Sequence, residues 1–279
     1  MTVFEMISGM LRDRRIYCFA PVSLSECKIT KSRLLERVGI APEKGSAVMM
    51  AVPYAVNDGQ KGNISDYAKS RDYHLFFAQL FDELLPALRS RFPDYRFAGF
   101  ADHSPIDEIH AAAIGGLGII GRNGLVITEN YSSLIFLGEI ITDAPIECQK
   151  QPVRHCEDCG LCLSACPVGC DKQRCLSAIT QKKGELSEEE EALILENGSV
   201  WGCDTCQTVC PHTKKVYASG TVYSPIPFFS EGRIPFLTRR TVEDMTEDEF
   251  AERAYSWRGR DAILRNLVLF EEKSTDKQY

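Results

Sequence analysis

Residues 156–167 read Cys-Glu-Asp-Cys-Gly-Leu-Cys-Leu-Ser-Ala-Cys-Pro, and residues 203–211 read Cys-Asp-Thr-Cys-Gln-Thr-Val-Cys-Pro. The spacing of the first run, Cys-x2-Cys-x2-Cys-x3-Cys-Pro, is typical of proteins that bind two [4Fe–4S] clusters. In such proteins the first three thiolates bind one cluster, and the cysteine before the proline binds its neighbour. The two runs therefore predict a segment built around a pair of clusters.

This rule divides the cysteines into two ligand sets. The first cluster is expected to bind Cys156, Cys159, Cys162 and, from the second run, Cys210. The second cluster is expected to bind Cys166, Cys203 and Cys206. The second run is one cysteine short, because Val200 occupies the position where another would be expected. The fourth ligand is therefore predicted to be Cys175, with Cys170 as the alternative.

Structural zinc and disulfides are less consistent with these runs. Zinc sites usually combine pairs of Cys-x2-4-Cys, and a four-cysteine run that ends in Cys-Pro does not suit one tetrahedral metal ion. Disulfides require an oxidising compartment, and residues 1–6 lack the basic start and apolar stretch of a secretory signal. The sequence therefore predicts reduced cysteines in a cytoplasmic protein.

The composition predicts a soluble globular protein. The chain has 279 residues, of which 44% are hydrophobic, and this is sufficient for one large or two modest cores. No stretch approaches the about 20 apolar residues that span a membrane. The net charge of −7 argues against a surface that coats nucleic acid, although a local basic patch is compatible with it.

Residues 1–150 alternate between helical and strand patterns and are expected to form one mixed domain. A buried strand is predicted at 47–54, and two further strands are predicted at 96–102 and 134–142. Apolar residues spaced by three and four predict a helix over 73–92, in which Pro86 should cause a kink or a break.

Residues 151–220 are expected to form the cluster domain, and residues 221–279 a C-terminal segment that packs on the first domain. One helix is predicted between the cysteine runs, with Ser187 as its N-cap, Glu190 completing a capping box and Asn197-Gly198 at its end. An acidic helical pattern follows at 241–254, and an apolar stretch at 262–270.

A Gly-x-Gly-x-x-Gly motif at 116–121, with Glu139 at a distance suited to a ribose contact, matches a dinucleotide-binding pattern. The context argues against this function. Residues 107–114 predict a helix, whereas the motif must follow a strand and open a helix. The glycines are instead expected to allow close backbone approach or positive φ angles around a large ligand.

Several segments resemble the epoxyqueuosine reductase family, a relative of the corrinoid-dependent reductive dehalogenases. The matching segments are residues 67–74, 102–105, 116–123, 136–140, 175–177 and 201–211. They occur in the order of the family and cover roughly residues 65–215.

The resemblance implies an α+β chain in which a nitroreductase-like domain binds cobalamin and a ferredoxin-like domain with two [4Fe–4S] clusters supplies electrons. It implies that Asp102 donates a proton as the epoxide of epoxyqueuosine in tRNA is reduced. Without the resemblance, Asp102 would be interpreted as a turn or helix-cap residue. A bulky apolar cofactor beside Asp102 would raise the pKa of its carboxyl by desolvation. The implied cofactor contacts are Arg71, Tyr73, His74, Arg122 and Asn123.

An external donor such as a ferredoxin or flavodoxin, and tRNA, are the implied partners. The chain departs from the family at residues 28–46, which replace a longer basic insertion, and after Leu267, where many members continue into a helical-repeat domain. Both departures argue against tRNA as the substrate. The alternative is a non-catalytic two-cluster protein that transfers electrons to a partner.

Overall fold

The computed structural model describes residues 1–275, and these residues form two compact units. The first unit comprises Met1–Tyr54, His74–Cys159 and Lys215–Ile226. The second unit comprises Ala55–Tyr73, Gly160–Lys214 and the chain from Pro227 onward. None of the described helices is long and apolar enough to cross a membrane.

These units differ from the expected boundaries at residues 150 and 220. The chain from Pro227 onward belongs to the second unit, with the cysteine-rich residues, and only residues 221–226 of the segment expected to pack on the first domain belong to the first unit. The reason is a shared apolar core, in which Ile64 and Trp201 pack with Tyr255, Ile263 and Leu267. Residues 276–279 of the expected segment lie outside the described residues.

The first half of the chain is mixed α and β, as expected. Its elements are α1 (Val3–Asp13), β1 (Cys18–Ser23), α2 (Ser32–Val38), β2 (Ser46–Pro53), α3 (Tyr73–Arg91), β3 (Phe97–Phe100), α4 (Glu108–Ile114), β4 (Ile119–Ile120), β5 (Val126–Ile127) and β6 (Ile135–Thr142). The three predicted strands correspond to β2, β3 and β6, and all three are confirmed within a few residues.

The first unit is organised around a four-stranded sheet with the order β1-β2-β6-β3. All neighbouring strands in it are antiparallel. Every residue of β2 is buried. Glu139 on β6 lies opposite Met49 on β2 and Phe100 on β3. This acidic residue is therefore flanked by apolar residues on both neighbouring strands.

Of the kink or break expected at Pro86, the break does not occur, because helix α3 continues through this residue. Pro86 and Asp82, four residues earlier, are both exposed. The carbonyl that loses its partner to the proline therefore faces water, which lowers the cost of the missing bond.

The second half of the chain is helical. Its elements are α5 (Leu161–Ala165), α6 (Leu176–Thr180), α7 (Glu188–Asn197), α8 (Thr205–Thr208), α9 (Pro211–Ser219), α10 (Arg239–Asp244), α11 (Glu247–Ala251) and α12 (Arg260–Thr275). The capping box of α7 and its glycine end are confirmed. The expectation of a single helix over 151–220 is wrong, because α5, α6 and α8 are too short to show an apolar period.

Candidate functional site

Asp102 lies in an exposed loop between β3 and α4. Its φ angle is 62°, a left-handed conformation that a non-glycine residue adopts at a cost in free energy. The side chain is 70% exposed, and its Oδ2 lies 3.7 Å from Nε2 of His74, the second residue of α3. The fold therefore places two sequence-predicted residues together, with the acidic group open to a ligand.

The charges around Asp102 favour its ionised form. The neighbouring imidazole of His74 lowers the pKa of the carboxyl, and this effect together with the charges of Lys31 and His103 outweighs the opposing effect of burial. The sequence-based argument expected the opposite direction, through desolvation by a cofactor. In the chain alone the carboxyl is too exposed, and too close to cationic groups, for desolvation to dominate.

Two further carboxylates lie directly behind this loop. The side chain of Glu139 is fully buried, and its Oε1 accepts a hydrogen bond from the hydroxyl of Ser104. Glu108 opens α4, and its Oε1 accepts a bond of 3.3 Å from the backbone N–H of Asp102. The charge of Glu108 raises the pKa of Glu139, after the larger effect of burial. Sequence reasoning missed Glu108 and considered Glu139 only as a ribose contact. The available signal was one acidic residue within the apolar strand β6.

The glycine segment is built for close backbone packing. It follows a helix, α4, and enters a strand, β4, so its context is the reverse of the dinucleotide-binding order. A Cβ atom on Gly118 would lie 2.4 Å from the carbonyl oxygen of Ile127 on β5. Glycine is therefore required for β4 and β5 to pair.

Arg122 and Asn123 occupy the turn between β4 and β5. The backbone N–H of Arg122 donates to Sγ of Cys156 over 3.3 Å, and its guanidinium lies 3.2 Å from a carboxylate oxygen of Asp158. The Oδ1 of Asn123 accepts a bond from the backbone N–H of Leu125. These residues thus contact the first cysteine run and the turn itself, and the predicted cofactor contacts stay a prediction.

Arg71 and Tyr73 belong to the second unit. The guanidinium of Arg71 lies 3.2 Å from a carboxylate oxygen of Glu252 and 5.0 Å from the ring centre of Phe228. Tyr73 is the half-buried first residue of α3. In the described structure Arg71 stabilises packing within its own unit.

The cysteine runs are carried by turns and short helices. The boundary between the units falls inside the first run, after Cys159. None of the twelve cysteines, all of which are described, forms a disulfide. Cys162 lies on α5 and Cys206 on α8, while Cys166 and Cys175 occupy the C-cap of α5 and the N-cap of α6.

Both candidates for the eighth ligand lie near other cysteines of the second unit. Cys175 is one of the groups that raise the pKa of Cys203, after burial and Asp204. Burial, followed by Cys166 and its neighbours, raises the pKa of Cys170 to about 12. The thiol of Cys170 also donates to the carbonyl oxygen of Cys162 over 3.4 Å, so it already has a backbone partner.

No group of three or more Cys, His, Asp or Glu side chains within the described part of the chain could hold a single metal ion. A structural zinc requires its ligands to converge to about 2.3 Å from one point. The cysteines of a [4Fe–4S] cluster each bind a different iron and need no such convergence. The backbone N–H of Arg122 that donates to Cys156 suits a sulfur that carries negative charge, whereas the thiol of Cys203 donates to Thr205 Oγ1 over 3.3 Å.

Buried polar contacts hold the second run in place. Asp204 accepts hydrogen bonds from the hydroxyl of Ser65 and, over 2.7 Å, from the backbone N–H of Asp66. Asn266 on α12 is fully buried and donates to the carbonyl oxygens of Thr180 and Val200 over 2.8 and 2.9 Å. Asn266 therefore connects the helix that follows Cys175 to the segment that precedes Cys203. Sequence reasoning gave neither residue a role.

Comparison with known proteins gives a consistent result. The family model described as "Epoxyqueuosine reductase QueG, DUF1730" matches residues 38–103. A protein named epoxyqueuosine reductase from Synechocystis sp. is 35% identical over 70% of this chain and 69% of its own length. Another of that name, from Lactococcus garvieae, is 32% identical over 78% of this chain and 64% of its own length.

A crystal structure of epoxyqueuosine reductase with an epoxyqueuosine-modified tRNA stem loop matches with a TM-score of 0.74 and 25% identity, over 96% of this chain and 81% of that one. The chain spans about three fifths of the length of several curated relatives, including those from Staphylococcus aureus and Bacillus subtilis, at 59% and 58%.

Proposed function

The chain belongs to the epoxyqueuosine reductase family, and we propose that it is an iron–sulfur, corrinoid-dependent oxidoreductase that reduces epoxyqueuosine in tRNA or a related substrate. The observation that carries this proposal is Asp102, held in a left-handed conformation at an exposed position beside His74. A carboxyl group in a strained and accessible loop can reach a ligand directly, and a bound cofactor that displaces water from it would raise its pKa toward the protonated form that donates.

We assign a nitroreductase-like, cofactor-binding role to the first unit and a ferredoxin-like role to the cysteine-rich segment of the second. The antiparallel sheet with α3 and α4 supports the first assignment. The spacing of the two cysteine runs supports the second.

The proposed ligands of the first cluster are Cys156, Cys159, Cys162 and Cys210. Those of the second cluster are Cys166, Cys175, Cys203 and Cys206. When bound, such clusters supply electrons one at a time. Cys175 is preferred over Cys170 because Cys170 is already bonded to a backbone carbonyl.

A corrinoid, when bound, supplies a cobalt that can be reduced to a strong nucleophile. The exposed His74–Asp102 pair fits a large polar ligand, because both side chains are accessible, at 51% and 70%. Tyr73 and Arg122 are proposed as further contacts. Arg71 and Asn123 would have to exchange their present partners to contribute.

The protein's own part in the reaction is proton supply. Reduction of the epoxide to an alkene consumes two electrons and two protons, and the epoxide oxygen leaves as water. The carboxyl of Asp102 gives a proton to that oxygen as its C–O bonds break, and His74 holds the carboxylate in position. The electrons come from an external one-electron donor protein of the ferredoxin or flavodoxin class. A tRNA substrate would place the reaction in the cytoplasm.

The test is conversion of the substrate. The chain is incubated anaerobically with cobalamin, a low-potential reductant and tRNA that carries epoxyqueuosine, and the nucleosides are then identified by mass spectrometry. Queuosine should form only when the corrinoid is added. If the chain contains both clusters and binds cobalamin, and yet forms no queuosine, epoxyqueuosine in tRNA is not its substrate. If it contains clusters and binds no corrinoid, the protein is an electron carrier.

A further inference from the structure

The carboxylates of Glu108 and Glu139 form a buried pair that the proposed reaction has not yet used. Glu139 Oε2 has no donor partner among the described residues, although its side chain is fully buried. Buried carboxylate oxygens without a partner are costly when both groups are ionised. A proton between the two carboxyl groups removes the like-charge repulsion and satisfies the unpaired oxygen.

The pair is connected to the Asp102 loop at two points. The hydroxyl of Ser104, two residues after Asp102, donates to Glu139. The backbone N–H of Asp102 itself donates to Glu108 over 3.3 Å. Any change in the protonation of the pair therefore acts directly on the loop that carries the catalytic acid.

We propose that Glu108 and Glu139 share one proton and that this proton recharges Asp102, so that the pair supplies the second of the two protons that leave with the epoxide oxygen as water. This inference rests on the proposed function. The bond that breaks is the O–H of the shared proton, and the bond that forms is an O–H on the Asp102 carboxylate. The two electrons enter from the external one-electron donor protein.

The charged groups around Glu108 and Glu139 are compatible with a proton held between them. Asp102 and Lys31 face Glu108, Cys27 faces Glu139, and His74 and His103 face Asp102. Burial, together with the charge of Asp102, raises the pKa of Glu108 to about 7. Burial and Glu108 raise the pKa of Glu139 well above its ordinary value. A bound substrate that covers Asp102 would separate it from bulk water, and the pair would then supply a proton from within the protein.

The first test needs no substrate. Infrared spectra of the intact protein are recorded from about pH 5 to about pH 9, in H2O and D2O, to detect the carbonyl band of a protonated carboxyl group. A D2O-sensitive band should persist at pH 7 and be lost in Glu139→Gln. The exposed Glu129→Gln variant should retain it. Absence of the band at pH 7 in the unaltered protein would overturn the shared proton.

The second test measures turnover against pH. In the unaltered protein kcat should fall as pH rises past the point at which the pair loses its shared proton, which lies above the ordinary pKa of a glutamate. In Glu108→Gln and Glu139→Gln that inflection should disappear, kcat should fall about tenfold or more, and KM should stay the same. Unchanged pH profiles in both variants, with native cluster spectra, would overturn the relay. Inactivity of the unaltered protein would overturn the proposed function. The infrared experiment would still show whether Glu108 and Glu139 share a proton.

Discussion

Asn266 gives the clearest prediction about what holds the second cysteine run. Its amide donates to the carbonyl oxygens of Thr180 and Val200, which are 0% and 1% exposed. In Asn266→Ala both acceptors lose their donor in a place that water does not reach. Each loss costs about 1–3 kcal/mol, so the variant should lose about 2–6 kcal/mol of unfolding free energy.

The matched control is Asn197→Ala in the same unit. Asn197 is half-buried and makes a bond of 3.0 Å to the hydroxyl of Thr205. Loss of one such bond costs about 1 kcal/mol. The chain has two tryptophans, of which Trp201 is fully buried in the second unit and Trp257 is 57% exposed. In a Trp257→Phe background the fluorescence of Trp201 therefore reports unfolding of that unit.

Anaerobic urea unfolding measures the difference. With a urea dependence of about 2 kcal/mol per molar, Asn266→Ala should lower the midpoint by about 1–3 M, well beyond the effect of Asn197→Ala. Absorbance of the second cluster should be lost along with the Trp201 signal, since the amide links the segments that carry two of its proposed ligands. Equal midpoints for the two variants would refute the role assigned to Asn266.

Three other predictions concern the acid, the eighth ligand and the sheet. Asp102→Asn should lower kcat by about 100-fold or more with unchanged iron content, and retained turnover would place the acid elsewhere. In anaerobic iron analysis, Cys175→Ser should lose the iron of one of the two clusters, whereas Cys170→Ser should retain the iron of both. The reverse result would make Cys170 the eighth ligand. Gly138→Ala places a Cβ atom 2.4 Å from an aromatic ring of α3 and should destabilise by about 1–3 kcal/mol in thermal unfolding. Gly9→Ala, in α1 with open space around it, should instead stabilise by about 0.5–1 kcal/mol, and a similar loss in both would rule out overpacking as the cause.

The sequence predicted the features that are encoded locally. The apolar strands β2 and β6, and the capping box of α7, depend on residues close together in the chain, and all are found where expected. The cysteine spacing is local as well. It is a chemical rule about which thiolates one loop can present, so the proposed ligands could be named before any fold was known.

The features that sequence reasoning missed depend on distant residues. The C-terminal helix packs with the cysteine-rich segment because Leu267 and Trp201 share a core, and no local pattern specifies that choice. The pairing of Glu108 with Glu139 arises because α4 begins beside the middle of β6. Asp102 was identified through resemblance, and its left-handed backbone became visible only in the structure.

The central claim is that this chain carries two [4Fe–4S] clusters that feed a reductive site. The most direct test is iron and acid-labile sulfide analysis of protein purified without oxygen. About eight irons and about eight sulfides per chain are expected. About one zinc per chain, or about four irons in the unaltered protein, would contradict it.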